Sequence, residues 1–196
     1  TIKGGAGDDV IYGNHNNDVI FGGEGSDKLF GGQNDGAMTG SPPAMRDGVE
    51  SLYGGGGDDF IYGNHGSDIL SGGAGADKIW GGQNDDTLIG NEGADTLWGN
   101  LGNDVLSGSG GSDLLKGQAG NDVLNGGTGD DTAEFSGNKS DYTITHSSNT
   151  VVIDNRSNSP DGTDILNNVE FLKFRDQTFD ISGQSGDTTP TDTTPE

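Results

Sequence analysis

The chain is predicted to be all-β: a right-handed parallel β-roll, a β-helix solenoid of 18 residues per coil, ended by a small C-terminal β cap. Three observations predict this. A nine-residue unit, G-G-x-G-x-D-x-U-x with U a large aliphatic, runs through fourteen registers from Gly4 to Glu134. Only 28% of the chain is hydrophobic while 39 residues are glycine, so a conventional globular core is not available. The last three residues of each unit, x-U-x, place U on one face of a short strand and its neighbours on the other.

The first unit is Gly4-Gly5-Ala6-Gly7-Asp8-Asp9-Val10-Ile11-Tyr12, and copies restart at 13, 22, 31, 54, 63, 72, 81, 90, 99, 108, 117 and 126. A degenerate copy at 45–53 follows a five-residue insertion at 40–44; Gly48, Glu50 and Leu52 keep its frame. In every unit the glycine-rich hexapeptide is a turn, because glycine permits backbone angles closed to other residues and lets carbonyls converge. Ile11, Ile20, Leu29, Ile61, Leu70, Ile79, Leu88, Leu97, Leu106, Leu115 and Leu124 are the U residues predicted to line one narrow interior. A longer duplication overlies the short one: Gly4–Asp35 and Gly54–Asp85 align almost throughout at an offset of 50 residues.

Charge decides what such a coil requires. The chain carries 32 acidic and 9 basic residues, a net of -23, and residues 4–134 hold 22 of the acids and 4 of the bases. A chain this acidic is a poor partner for nucleic acid, whose phosphates call for positive charge. Low hydrophobicity with high net charge is also the signature of a chain that cannot offset its conformational entropy, so the repeats are expected to be largely unfolded without a ligand. There is no cysteine to staple the loops. No apolar run approaches transmembrane length and no basic-then-apolar leader opens the chain. The repeat is already under way at Thr1, as expected of a piece of a larger protein.

Two nonapeptides make one coil, so turns on one edge come from alternate units and stack about 4.8 Å apart. Twelve of the fourteen registers have Asp at the sixth position; Gly36 and Glu50 are the exceptions. Strict alternation pairs Asp9 with Asp27, Asp68 with Asp86, Asp86 with Asp104 and Asp104 with Asp122 on one edge. On the other it pairs Asp59 with Asp77, Asp77 with Asp95, Asp95 with Asp113 and Asp113 with Asp131. It would also set residue 18 by 36, 36 by 59, 27 by 50 and 50 by 68, where the pattern is broken. Carboxylates this close repel unless a cation lies between them. Two carboxylates with several turn carbonyls form a hard, all-oxygen cage that suits calcium better than magnesium or zinc. The predicted ligands are Asp9, Asp18, Asp27, Asp59, Asp68, Asp77, Asp86, Asp95, Asp104, Asp113, Asp122 and Asp131, giving about eight full Ca2+ sites, with folding and binding one event.

After Glu134 glycine thins out and the segment 135–183 is expected to be the cap, with strands at Tyr142–Thr145 and Thr150–Ile153, a turn at Ser159–Gly162 and a further strand within Asn167–Phe174. Residues 184–196, rich in Thr, Pro and Asp, are expected to be a disordered tail or linker.

The array resembles the RTX family, whose nonapeptide is a calcium-binding parallel β-helix repeat. The resemblance extends to 135–183 through Phe135-Ser136-Gly137-Asn138, Asp141-Tyr142-Thr143-Ile144, Asp161-Gly162-Thr163-Asp164 and Val169-Glu170-Phe171-Leu172-Lys173-Phe174, which look like the segment after RTX arrays in many secreted members. It implies bacterial secretion in an unfolded state through a one-step export channel and folding in extracellular calcium. It also implies a role supporting a larger protein: a protease, lipase, toxin, adhesin, surface-layer protein or alginate epimerase.

The ninth positions hold Tyr12, Phe21, Phe30, Tyr53, Tyr62, Trp80 and Trp98, and the 18-residue coil stacks Tyr62, Trp80 and Trp98 directly. Such a strip either braces the sheet or binds an extracellular polysaccharide or a neighbouring domain. His15 and His65 occupy equivalent third positions and His146 lies in the cap segment; block duplication accounts for the first two without a zinc or catalytic role. No nucleophile constellation accompanies them, so the module itself is read as non-catalytic. The paired acids 8/9, 58/59, 85/86 and 130/131 read as turn acids, since general acid-base work separates the environments of two carboxyls and repetition makes them alike.

Overall fold

Each nonapeptide contributes a turn and a short strand whose eighth residue points inward. The computed structural model describes residues 1–14, 17–32, 49–146, 149–158 and 160–182. The strands are β1 (Ile2–Ala6), β2 (Val10–Asn14), β3 (Val19–Glu24), β4 (Lys28–Gly32), β5 (Ser51–Gly56), β6 (Phe60–His65), β7 (Ile69–Ala74), β8 (Lys78–Gln83), β9 (Thr87–Glu92) and β10 (Thr96–Leu101). They continue with β11 (Val105–Gly110), β12 (Leu114–Ala119), β13 (Val123–Thr128), β14 (Thr132–Glu134), β15 (Tyr142–His146), β16 (Thr150–Asp154), β17 (Thr163–Asn167), β18 (Phe171–Lys173) and β19 (Thr178–Asp180). The repeat strands β2 to β13 start at the first x of x-U-x and run past it, because the first residues of the next turn continue the ladder.

Odd strands up to β13 form one sheet and even strands up to β14 the other, each strand parallel to the next. Partners are 18 residues apart, as in Leu97↔Leu115 and Leu106↔Leu124. The chain is thus a parallel β-solenoid with the predicted coil length. Its interior is one aliphatic side chain per strand: Ile20, Leu29, Leu52, Ile61, Leu70, Ile79, Leu88, Leu97, Leu106 and Leu115 are fully buried. Burying each contributes about 1.5–3 kcal/mol. A core one residue wide leaves the turns to hold the rest of the fold together.

Strict alternation fails at one place. The partners of β3 and β4 are β5 and β6, with Ile20↔Leu52 and Leu29↔Ile61, an offset of 32 residues rather than 18. Among the described residues it is the degenerate register's Leu52 that follows Ile20 in the core. The insertion at 40–44 and Gly36 lie outside the described residues, as do His15 and the tail at 184–196. The edge assignment changes accordingly: Asp27 stacks on Asp59, not beside Glu50.

Beyond β14 the chain makes an excursion and returns. β17 lies parallel on β13 with Leu124↔Leu166, and β18 lies parallel on β14 with Ala133↔Leu172. Residues 163–173 therefore add one more coil. Its edges are then covered by antiparallel strands, β16 and β15 on one sheet and β19 on the other. Parallel growth stops where the strand direction reverses, which is how a solenoid end is closed. Phe135, Tyr142 and Phe174 pack together beneath this end. A charged group tightens it: Arg156 is paired with Asp154 and Asp161, and the Tyr142 hydroxyl donates to Asp161. Among the described residues no helix is long and apolar enough to cross a membrane.

Candidate metal centre

The turn is built from three glycine positions that do different jobs. At the second position the backbone is left-handed, by glycine in Gly55 (φ 121°) and by Asn in Asn64, Asn91 and Asn100 (φ 77–81°). At the fourth position coils touch: a Cβ on Gly93 would lie 1.8 Å from the Gly75 carbonyl oxygen. At the first position the missing Cβ is the space where oxygens converge, for one on Gly54 would lie 2.1 Å from Asp59 Oδ2 and 2.6 Å from the Gly72 carbonyl oxygen.

The sixth-position carboxylates form two ladders. Along one edge the amides of Asp9, Asp27, Asp59, Asp77, Asp95 and Asp113 donate to Oδ1 of Asp27, Asp59, Asp77, Asp95, Asp113 and Asp131, at 2.6–2.8 Å. Along the other, Glu50 donates to Asp68, then Asp68 to Asp86, Asp86 to Asp104 and Asp104 to Asp122, each at 2.8 Å. Asp18 lies beneath Glu50 on that edge, its carbonyl accepting from the Ser51 amide. Asp27, Asp59, Asp68, Asp77, Asp86, Asp95, Asp104, Asp113, Asp122 and Asp131 each spend one oxygen on this backbone bond. The second oxygen, Oδ2, is buried with no hydrogen-bond donor in Asp9, Asp18, Asp27, Asp59, Asp68, Asp77, Asp86, Asp95, Asp104, Asp113, Asp122 and Asp131.

A row of buried acceptors without donors is costly, since removing a polar atom from water without a partner forfeits its solvation. Neighbouring charges at about the strand spacing of 4.8 Å add roughly 3–4 kcal/mol of repulsion at an effective dielectric of about 20. The titrations reflect both. Burial, then neighbouring acids, push Asp59, Asp113, Asp122 and Asp131 up to about 6, Asp77 and Asp104 up to about 7, and Asp86 up to about 8. Asp27 and Asp95 are raised for the same first reason, and Asp68 is raised by burial together with the Glu50 carboxyl beside it.

The fifth-position acids are sorted away from this interior. The Asp8, Asp58 and Asp85 carboxylates accept from the amides of Ser26, Ala76 and Asn103 on the outer rim of the next coil. The paired acids of the sequence are thus one cage residue and one rim residue. Among the described residues no three His, Cys, Asp or Glu side chains converge. The arrangement accounts for this: each cage offers two carboxylates and completes itself with carbonyls, the oxygen-only donor set that calcium takes. Bound there, calcium would supply positive charge and oxygen coordination to the Oδ2 atoms that have no other partner.

The aromatic strip is observed as a ladder. Tyr12, Phe30, Tyr62, Trp80 and Trp98 stack with centroids 4.4–5.0 Å apart and interplanar angles of 3–8°. The rings cover one another's faces, and Lys116 Nζ lies over Trp98, 5.5 Å from its centroid. Edges, not faces, point outward along the strip. Beside it a shallow cavity of about 360 Å³ is lined by Tyr62, His65, Trp80, Gln83, Asn100 and Leu101.

Two sheets of parallel strands with acid-lined glycine turns define a calcium-type β-roll. Four copies of the RTX calcium-binding nonapeptide repeat match the chain at residues 1–35, 46–79, 80–115 and 98–133, and the chain belongs to that family. No curated protein matches it. The family match skips 36–45 and ends before the cap.

Sequence spacing missed part of the ladder. The Asp27–Asp59 rung departs from strict alternation, because the described strands pair at an offset of 32 residues there. Asp164 and Glu170 were left out because they lie outside the nonapeptides, yet the Asp122 amide donates to Asp164 Oδ1 and the Asp131 amide to Glu170 Oε2. A signal was present: Gly162-Thr163-Asp164-Ile165-Leu166 keeps the fourth, sixth and eighth positions of the unit.

Proposed function

We propose that Asp9, Asp18, Asp27, Asp59, Asp68, Asp77, Asp86, Asp95, Asp104, Asp113, Asp122 and Asp131 are calcium ligands, and that the roll folds when they bind. RTX calcium-binding repeats are typical of secreted bacterial proteins, and the repeat is a structural, calcium-binding module. On this reading the chain leaves the cell unfolded, meets calcium outside, and supports export and stability of a larger secreted protein. The observation that carries it is the row of twelve buried Oδ2 atoms without donors. Such a row is stable only beside cations or protons, and at neutral pH outside a cell calcium is the available partner.

Circular dichroism through a calcium titration tests it. Strand signal is expected to appear with calcium and vanish in excess chelator; full strand signal in chelator at neutral pH overturns coupled folding.

A second reading, an adhesin, surface-layer or glycan-binding module, draws on the aromatic strip and the adjoining cavity. Sugar rings pack on exposed aromatic faces, and here the faces of Tyr62 and Trp80 are stacked on neighbouring rings, so the cavity rather than the strip supports it. Unchanged polysaccharide binding by Trp80→Ala and Trp98→Ala removes this reading. A third, carrier of a secreted hydrolase, toxin or epimerase, is the same calcium module beside a catalytic domain.

A further inference from the structure

The last coil copies the repeat in more than its strands. Gly162 is left-handed (φ 68°), and a Cβ on it would lie 1.9 Å from the Gly120 carbonyl oxygen, the same contact that fourth-position glycines make throughout the roll. The Thr163 amide takes the Asn121 side-chain oxygen, as fifth-position amides do lower down. Asp164 is buried and stands above Asp122, and Leu166 stands above Leu124 in the core. On the opposite edge Glu170 stands above Asp131, and the Asn168 carbonyl oxygen lies 2.1 Å from where a Cβ on Gly126 would be. That is the place taken lower down by first-position carbonyls, such as that of Gly126 above Gly108.

Both rungs contain a buried oxygen without a donor. Asp122 Oδ2 and Asp131 Oδ2 belong to residues at most 1% exposed, and neither accepts a hydrogen bond. Asp131 Oδ2 points into the same space as the Asn168 carbonyl. In the first cap turn the buried Asp161 carboxylate is held by Ser136, Tyr142 and Arg156.

We infer that the cation ladder runs past the nonapeptides into the cap, with Asp122 and Asp164 sharing one calcium and Asp131, Glu170 and the Asn168 carbonyl holding another. This rests on the proposed calcium reading of the ladder. It makes Asp164 and Glu170 metal ligands outside the family match, and makes docking of the cap on the roll a calcium-dependent step.

The test uses the full chain and calcium alone, with bound calcium counted by equilibrium dialysis and strand order followed by hydrogen exchange. Asp164→Asn keeps an oxygen acceptor for the Asp122 amide but removes the charge; Glu170→Gln does the same for Asp131. Each is expected to lose about one bound calcium and to raise the calcium needed to protect β17 or β18 by about tenfold or more, since ligand charge sets affinity. Asp164→Glu, which returns a carboxylate, should restore much of the loss. Asp95→Asn is the control within the roll. If Asp95→Asn loses calcium while Asp164→Asn and Glu170→Gln bind and protect as the parent does, the cap sites are overturned and the ladder stands. If Asp95→Asn also binds the full complement, the ladder reading itself falls and takes the cap sites with it.

Discussion

The coils between residues 54 and 134 and the first coils, residues 2–32, are built from the same unit, yet they are not equally committed to the fold. In the later stretch every ladder aspartate is buried, with a carboxylate above and below it. In the first coils Asp9 and Asp18 are only partly buried, Val10 and Tyr12 are more than half exposed, and the carboxylate stacked above Asp18 is the longer Glu50. The difference teaches that the repeat is not the unit of stability. A cage exists only between two coils, so stability accrues to stacked neighbours, as in other one-dimensional arrays. The ladder that opens the chain has the fewest of them.

Calcium removal gives the largest effect. In excess chelator at neutral pH both regions should lose amide protection. On titrating calcium back, β7 to β13 should gain protection at a lower concentration than β1 to β4, because their cages have acidic neighbours on both sides. Equal midpoints in the two regions would show that the junction at 31–53 transmits order without loss, and would break the comparison.

Acid is the next lever. The ladder carboxyls titrate in the metal-free folded chain well above the ordinary value near 4, at about 6 for Asp59 and Asp113, about 7 for Asp77 and Asp104 and about 8 for Asp86. A raised folded pKa means the folded chain holds more protons than the unfolded one between about pH 4 and pH 8, so stability falls as pH rises through that window. Protons should therefore stand in for calcium: in chelator, strand signal is expected near pH 4 and should be lost by about pH 8. Binding of calcium near pH 7 should release protons. A metal-free chain that orders better at pH 8 than at pH 4 would contradict the burial and crowding of these carboxyls.

Most of the roll could be read from the sequence because the information is periodic. Leu88 or Asp95 is ambiguous alone, but its place in a nine-residue frame fixes both its face and its partner 18 residues on. What could not be read is where the period stops counting. Nothing local to Gly32 or Ser51 says that β3 pairs with β5 at an offset of 32 residues, and that offset moves Asp27 from Glu50 to Asp59. The extra coil was hidden for a related reason: 27 residues, 135–161, separate Glu134 from Gly162, so the pattern Gly162-x-Asp164-x-Leu166 had no frame to belong to. Long-range stacking supplied the frame.

Glycine contacts give a smaller, local test of the same contrast. Gly93 is left-handed, and a Cβ there meets the Gly75 carbonyl oxygen at 1.8 Å; Gly7 is left-handed with nothing within 4 Å of such a Cβ. Gly7→Ala should cost only the left-handed backbone penalty, about 1–2 kcal/mol. Gly93→Ala carries that penalty and must also force two coils apart, so its loss in a denaturant titration at saturating calcium should exceed that of Gly7→Ala severalfold. Equal losses would mean that the coil contact at the fourth position is soft.

The aromatic ladder crosses the boundary between the two regions and should be the mildest probe. Trp80 has Tyr62 on one face and Trp98 on the other, both at 4.4 Å, with Phe60 at 6.3 Å, whereas Tyr12 stacks on Phe30 at 4.7 Å at the start of the strip. Aromatic pairs contribute about 0.5–1.5 kcal/mol each beyond their burial. Trp80→Leu, which keeps an apolar side chain on the sheet, is expected to lose the stacking on both of its faces, and Tyr12→Leu the stacking on Phe30. The loss at Trp80 should then exceed that at Tyr12, measured at saturating calcium with the cages filled. Calcium midpoints should move little in either variant, because the strip lies on the outer face of the sheet and the cages lie in the turns. A large rise in midpoint for Trp80→Leu would mean that ring stacking sets the coil spacing the carboxylates need, and the two ladders would have to be treated as one cooperative element.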